Sequence, residues 1–418
     1  MFMSKMTARA LVMAMLTLAS LQGQKLLASN VAVGPVDCLP NLVHYPTIQH
    51  AVNAVPAGST VNVCAGVYHQ QVLINKSLTL QGVANGNEDA VVIYPPLTGL
   101  KVNFTDFEGG QYAAQLAVIG AADVIIRNVT VDGSNNLLPD CSKLFMSILF
   151  GNASGRVSHV VTRNQYLPTA PTCLTGNGIV VSNDPSVGTS DVTIENSSIH
   201  DFQGAGILAY FSGTTVKITD NFISNAAQTA GPNNGIEIDN GAAATISGNT
   251  ITDLLATDGY YTSTGFSTFE GATGGITFTD NTVSDTLGAI GIETDGTTVT
   301  SNKISNSLIG NFNEALYVCA NNTSVTKNTI SYSNPTAVFL DNSCGSATTG
   351  NVVTSNTINE ACIALQTTPG VVGNTLDPNN IVNVNQIHTV DGNLTPCVPS
   401  PAISKAVSVR PRPYKHKD

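Results

Sequence analysis

One short phrase returns along this chain from about residue 115 to residue 385: a hydrophobic alternation, an asparagine, then a second short hydrophobic stretch. It reads VIIRNVTV, VTIENSSI, VKITDNFI, ATISGNTI, ITFTDNTV, TVTSNKIS, SVTKNTIS and VVTSNTIN. Its anchors are Asn128, Asn164, Asn196, Asn221, Asn249, Asn281, Asn302, Asn328 and Asn356, with neighbours 21 (Asn281 to Asn302) to 36 (Asn128 to Asn164) residues apart. A period of that size is one coil of a solenoid, which buries its apolar face on the coils before and after it. Each asparagine sits where strand gives way to corner, and stacked asparagines can form hydrogen-bonded ladders along the axis. They read as structural despite being the most conspicuous residues.

Composition agrees with stacked strands. Only 11% of the 418 residues are charged, well below the usual quarter. The abundant Thr, Val and Ile suit strands, and Gly and Asn suit tight corners. A formal net charge of -11 argues against nucleic acid and anionic membranes as partners. Tryptophan is absent, which leaves tyrosine as the platform for stacking on a sugar.

Residues 1–30 carry Lys5 and Arg9, an apolar run from Ala10 to Leu21, and small residues at Ala28 and Ser29. That order predicts a secretory signal peptide. The run is too short to span a bilayer comfortably, and no later stretch is long enough. Eight cysteines follow it, none with the close spacing of a zinc site or redox pair. They predict disulfides, and with them a secreted, periplasmic or extracellular protein. After Thr395 the repeat stops, and residues 396–418 read as a Pro-rich, basic, disordered tail. The β domain is thus expected over 31–395, as a monomer.

Ahead of the repeats, Ile48, Ala51, Val52 and Val55 share one helical face, and Pro56 with Gly58 ends the helix. Such an amphipathic helix is expected to cover the open end of the first coil, where strand edges would otherwise invite pairing. Two strands are expected after it, around Val61–Cys64 and Val72–Leu80. This opening, a TIQ-A-V helix, a PAG turn, a V-x-V strand, G-V-Y and a strand ending in L-x-G, resembles that of the pectin lyase-like superfamily. The resemblance covers roughly residues 44 to 390 and implies a right-handed parallel β-helix. The superfamily includes pectate lyases, polygalacturonases, pectin methylesterases, alginate lyases and epimerases, and also many adhesins.

No single enzyme of that group matches. GIEIDN is similar to the D-G-I-D-x-D region of polygalacturonases, but the paired aspartates of the next coil, the Gly-His-Gly and the Arg-Ile-Lys are missing. GVYHQ resembles the methylesterase opening without its Q-D-T and D-F-I-F-G signatures. The pectate lyase pattern around a catalytic Arg is absent. NDPS is half of the epimerase D-P-H-D.

Within each coil a second strand opens on Gly or Ala, as in GIVVSN, GILAYF, GIEIDN and ALYVCAN. Alternation sends Ile236 and Ile238 inward and Glu237 and Asp239 outward. Three coils are enlarged, at 132–143, 164–176 and 253–272, always between an Asn-anchored strand and a Gly-opened one. All three loops should therefore leave at one corner. The first two come from successive coils and carry one cysteine each, which predicts a Cys141–Cys173 bridge. Neighbouring cysteines suggest Cys38–Cys64, Cys319–Cys344 and Cys362–Cys397.

The candidate site is a stripe of acids on the Gly-opened strands. Glu237 and Asp239 lie two residues, roughly 6.5–7 Å, apart on one face. The phrase GIETDG suggests that Glu293 and Asp295 hold the matching places two coils later. Glu270 falls between them, Tyr260 and Tyr261 project from the loop before it, and Glu314 and Tyr317 extend the surface. Glu237, Asp239, Glu293 and Asp295 are the catalytic candidates; Tyr260, Tyr261, Glu270 and Tyr317 are the substrate-binding ones. Paired carboxylates beside tyrosines are what hydrolysis of a glycosidic bond requires, one acid protonating the leaving oxygen and the other activating water. Crowding would raise one pKa and supply the acid.

No cofactor is required for this chemistry, although hard oxygen ligands also suit Ca²⁺. The other reading of the stripe is a set of solvated acids on a non-catalytic surface or matrix adhesin. Lys217, Lys303, Lys327, Arg127, Arg156 and Arg163 are the cations available to a lyase, but they are scattered over separate coils. His200 with Asp201 forms an isolated corner pair. The expected substrate is an extracellular polysaccharide.

Overall fold

The computed structural model describes residues 27–83, 88–225, 233–256, 263–269, 275–307, 314–333 and 335–390. Most of the expected leader, the tail and Cys397 lie outside these residues. Among the described residues the chain winds three strands per coil into three sheets of 13, 12 and 13 strands. The ladders are parallel, with one antiparallel exception, the short strand Phe104–Thr105 against Gln111–Ile119. The result is a parallel β-helix. The sequence separated two strands per coil; the third is the three- to five-residue stretch after each corner, such as Thr250–Leu254. The expected strand over Val72–Leu80 is likewise two, Val72–Ile74 in the third sheet and Leu78–Val83 in the first.

Inside the coils, one apolar residue from each strand stacks on its equivalent in the next coil. Ile218, Ile246, Phe278, Val299 and Val325 form such a row on the first sheet, and all are fully buried or nearly so. Phe266 of the third sheet stacks on Phe278 across the interior, with ring centroids 4.4 Å apart. A helix, Ile48–Ala54, packs against strands Asn30–Val33, Val43–Tyr45, Ser59–Cys64 and Val72–Ile74. Its N-cap is Thr47, whose side chain accepts from the His50 N–H, and Ile48, Ala51 and Val52 enter the core.

The asparagine ladder runs from Asn221 through Asn249, Asn281, Asn302, Asn328 and Asn356 to Asn379. Each backbone N–H donates to the side-chain Oδ1 of the next rung at 2.9 Å. Each Nδ2 of Asn221 through Asn356 also donates to a strand carbonyl, for example Asn281 to Ile246 O at 3.1 Å. Corner backbone that no strand can pair is thereby satisfied in the buried turn.

Three of the repeating asparagines have a different job. Asn128 and Asn196 take the left-handed position one residue earlier, with φ of 56° and 48°. There they match Asp220 and Asp280, and Ser197 fills the rung beneath Asn221. Asn164, also left-handed, follows the second sheet rather than the first and matches Asp201 and Asp253. Asparagine suits both tasks because it tolerates positive φ and carries its own amide.

The first two enlarged loops leave at one corner, between the second and third sheets. Cys141–Cys173 joins them, with Cα atoms 5.4 Å apart, and Cys38–Cys64 and Cys319–Cys344 are also formed. The third range, 253–272, is not a single loop: it contains the third-sheet strand Thr264–Thr268, and 257–262 and 270–272 lie outside the described residues. Among the described residues no helix is long and apolar enough to cross a membrane.

Asn281→Ala removes the Oδ1 that accepts from the Asn249 backbone N–H, leaving that buried donor unpaired, and removes the Nδ2 that donates to Ile246 O. Asn249 Nδ2 loses its bond to that Oδ1 but keeps Ile218 O and Ser247 O. At about 1–3 kcal/mol per orphaned group, it should destabilise the fold by about 2–4 kcal/mol in denaturant unfolding. The exposed Thr329→Ala should change stability by less than about 0.5 kcal/mol. Equal effects would show that the ladder carries no special weight.

Candidate functional site

The Gly-opened strands form the third sheet, and their outward residues stack in register. One row reads Leu149, Val180, Leu208, Glu237, Ser267, Gly291, Tyr317 and Phe339. Close stacking here depends on small residues. A Cβ on Gly206 would sit 2.7 Å from the Gly235 carbonyl oxygen, and one on Gly235 would sit 2.5 Å from that of Gly265. These glycines let successive coils meet at the sheet edge and so align the outward rows.

That register corrects the expected pairing of the acids. Glu237 is level with Gly291, not with Glu293. Glu293 lies just past the strand Gly288–Ile292, two positions further along and level with Asp239. Its N–H donates to the Thr268 carbonyl at 3.1 Å. Asp295 falls beyond the sheet in an exposed turn, where it accepts from the Asn321 N–H at 2.7 Å, and it does not line the groove. The two similar phrases are offset because the sheet pairs Phe266 with Ile290, ahead of the glycine in GIETDG. Tyr260, Tyr261 and Glu270 lie outside the described residues.

A groove of about 560 Å³ runs along this face. Glu237, Asp239, Glu293, Glu314 and Tyr317 line one end. Glu237 accepts from Asn234 Nδ2 at 2.9 Å. Burial on the groove floor pushes its carboxyl above the usual range, the Asn234 bond opposes this, and the Asp239 charge adds to the rise. Burial also raises Asp239, against the Asn240 N–H that donates to its Oδ1 at 2.6 Å. Tyr317 donates to Asp341 Oδ2 at 3.1 Å. Burial, Asp341 and the nearby Glu293 and Glu314 push its phenol far up, so it stays neutral.

Sequence reasoning missed several parts of the groove. Tyr210 and Asn234 line it, yet both sit in ordinary repeat positions that give no signal. A hairpin built on the antiparallel pairing of Phe104 with Tyr112 and Thr105 with Gln111 was also missed. It brings Asp106 to Tyr112 Oη at 2.8 Å and Phe107 to Phe211, with ring centroids 4.6 Å apart. The Gly-Gly of FEGGQ was its only sequence cue.

None of the six candidate lyase cations lines the groove. Arg163 is engaged by Asp89 and Asp132, each at 2.8 Å, Arg156 by Glu195, and Arg127 by Gln81. His200 Nδ1 and Asp201 Oδ2 are 2.7 Å apart on the second sheet, away from the groove. Among the described residues no three His, Cys, Asp or Glu side chains converge as a cation would require.

Three parallel sheets wound coil on coil, with polar side chains gathered on one of them, define a β-helix protein with a lateral groove. The chain belongs to the family described as right handed beta helix region, whose model matches residues 98–253 and 148–308. No curated protein sequence matches it. Among solved structures it is similar to the lacto-N-biosidase from Eubacterium ramulus, with 12% identity and a TM-score of 0.55 over 86% of this chain and 68% of that one. The Dettilon tailspike protein gives 15% identity and a TM-score of 0.55, over 81% and 63% of the two chains. The DFA-IIIase from Arthrobacter chlorophenolicus A6 gives 15% and 0.50, over 81% and 89%. At these identities the likeness is one of fold.

The raised pKa of Glu237 has a signed consequence for stability. Its folded-state value lies above the unfolded one. Its contribution is therefore fully present below the ordinary glutamate pKa and is lost as pH rises through the raised value. Glu237→Gln should match wild type in melting temperature near pH 4 and exceed it increasingly as pH rises toward 8 and the buried carboxyl is driven to ionise. Scanning calorimetry across that range checks this; a variant less stable than wild type at pH 8 would contradict it.

Proposed function

We propose that this chain is an extracellular carbohydrate-active protein that hydrolyses a glycosidic bond of a polysaccharide in the third-sheet groove. The observation that carries the reading is the pair Glu237 and Asp239. They stand two residues apart on one strand, with burial favouring the protonated form of both and the Asp239 charge raising Glu237 further. Asp239 thus ionises first, and Glu237 keeps its proton longer.

Glu237 donates that proton to the leaving glycosidic oxygen. Asp239 takes a proton from a water whose oxygen attacks the anomeric carbon on the opposite face, as the C–O bond to the leaving group breaks. Solvent then restores the two protonation states. A Cα separation of roughly 6.6 Å along the strand is compatible with the carboxyl spacing of inverting hydrolases. Glu293 and the neutral Tyr317 hydrogen-bond sugar hydroxyls beside the pair. The fold shared with a lacto-N-biosidase supports a sugar substrate. Three disulfides support an oxidising compartment, in keeping with a leader over residues 1–30.

A turnover screen on polyuronides and neutral plant and microbial glycans tests this. Glu237→Gln and Asp239→Asn should each lower kcat by about 10²–10⁴-fold. The wild-type rate should rise with pH as Asp239 ionises and fall as Glu237 does. Full activity in both variants sinks the assignment. Glycan binding without turnover anywhere in the screen would instead favour a non-catalytic adhesin.

A further inference from the structure

The groove changes character along its length. Between Leu149 and Leu208 the outward row is apolar for three successive coils, and the carboxylates begin only at Glu237. Tyr112, Met146 and Val180 back this end and are almost completely buried. In front of them Leu144 and Leu208 are partly exposed, and Leu174 at the rim is 70% exposed. Leu174 adjoins Cys173, so the Cys141–Cys173 bridge anchors this rim to the neighbouring loop. Phe269, 37% exposed, stands level with Asp239 and Glu293 and between them, one coil from each.

A glycan chain alone is a poor occupant for such a groove. Asn177 and Tyr210 also line this stretch. Sugar hydroxyls laid directly over the side chains of Leu144, Leu174 and Leu208, however, would lose water to groups that offer no hydrogen bond, at a cost per group. An apolar group there gains from burial instead. The acids at the other end demand a polar, hydrogen-bonding partner. Resting on the hydrolase reading above, we infer that the natural substrate is amphiphilic: a sugar at Glu237 and Asp239 carrying an apolar aryl or alkyl substituent that lies on Leu144, Leu174 and Leu208. These leucines are specificity-determining residues and take no part in bond cleavage.

The test uses matched methyl, phenyl and octyl glycosides of glucose, galactose, mannose, xylose and N-acetylglucosamine. Binding is measured by calorimetry on the full chain carrying Glu237→Gln, and turnover on wild type. For the sugar that binds, phenyl or octyl should bind at least about tenfold more tightly than methyl, the increment expected from partly burying such a group. A phenyl gain with none for octyl assigns an aryl source, and a larger gain for octyl assigns an alkyl one. Leu174→Ser with Leu208→Ser should remove the gain and leave methyl glycoside binding unchanged.

Equal affinity across the three aglycones overturns the inference, as does binding by none of the panel or a gain that survives both serine substitutions. Because Leu208 is only partly exposed, Leu174→Ser alone is the second variant; at the open rim it should keep the wild-type melting temperature and lose part of the gain. The two readings fail separately. An aglycone preference without turnover overturns hydrolysis alone, and turnover without a preference overturns the amphiphilic substrate alone.

Discussion

Everything in this molecule depends on how backbone polar groups are satisfied where one coil turns into the next. Strand hydrogen bonds take care of the flat faces, but a corner has no ladder partner. The buried asparagine ladder from Asn221 to Asn379 supplies one: each side-chain oxygen receives the preceding rung's backbone N–H. A buried amide left unpaired is costly, so each rung fixes the height and angle of the next coil. Successive coils repeat because their corners do.

From that regularity follows the face on which chemistry can occur. With the coils held in register, outward residues of the third sheet become continuous rows, and closely stacked glycines such as Gly206 and Gly235 leave no room for a side chain between the coils. Loops and the Phe104–Tyr112 hairpin then rise at the borders of this sheet and turn a flat face into a groove. Glu237 and Asp239 sit on a rigid strand there. Burial works against their charged forms, and the scaffold carries that cost as proton affinity.

Much of this was readable in the chain. Period-two alternation put Ile236 and Ile238 in the core, and both are fully buried. Cysteines in adjacent enlarged coils implied the Cys141–Cys173 clamp, because loops leaving one corner one coil apart must be neighbours. The misreadings share one cause. Asn128, Asn164 and Asn196 looked like ladder rungs, and GIETDG looked like GIEIDN in register, because insertions and deletions of one or two residues leave a motif's appearance intact. In a strand such a shift moves a side chain along the face or across it, which moved Glu293 level with Asp239 and took Asp295 out of the groove.

By itself the sequence determined that the chain is a solenoid of stacked strands, which side of each strand is buried, and that the loops carrying Cys141 and Cys173 are neighbours. These follow from periodicity and from neighbours one coil apart, both local properties. Only the tertiary structure decided which carboxylates share a groove, that one end of it is acidic and the other apolar, and which tyrosines face it. Those depend on contacts between coils and on a hairpin folded across several of them, and register between coils is set by packing that no single repeat encodes.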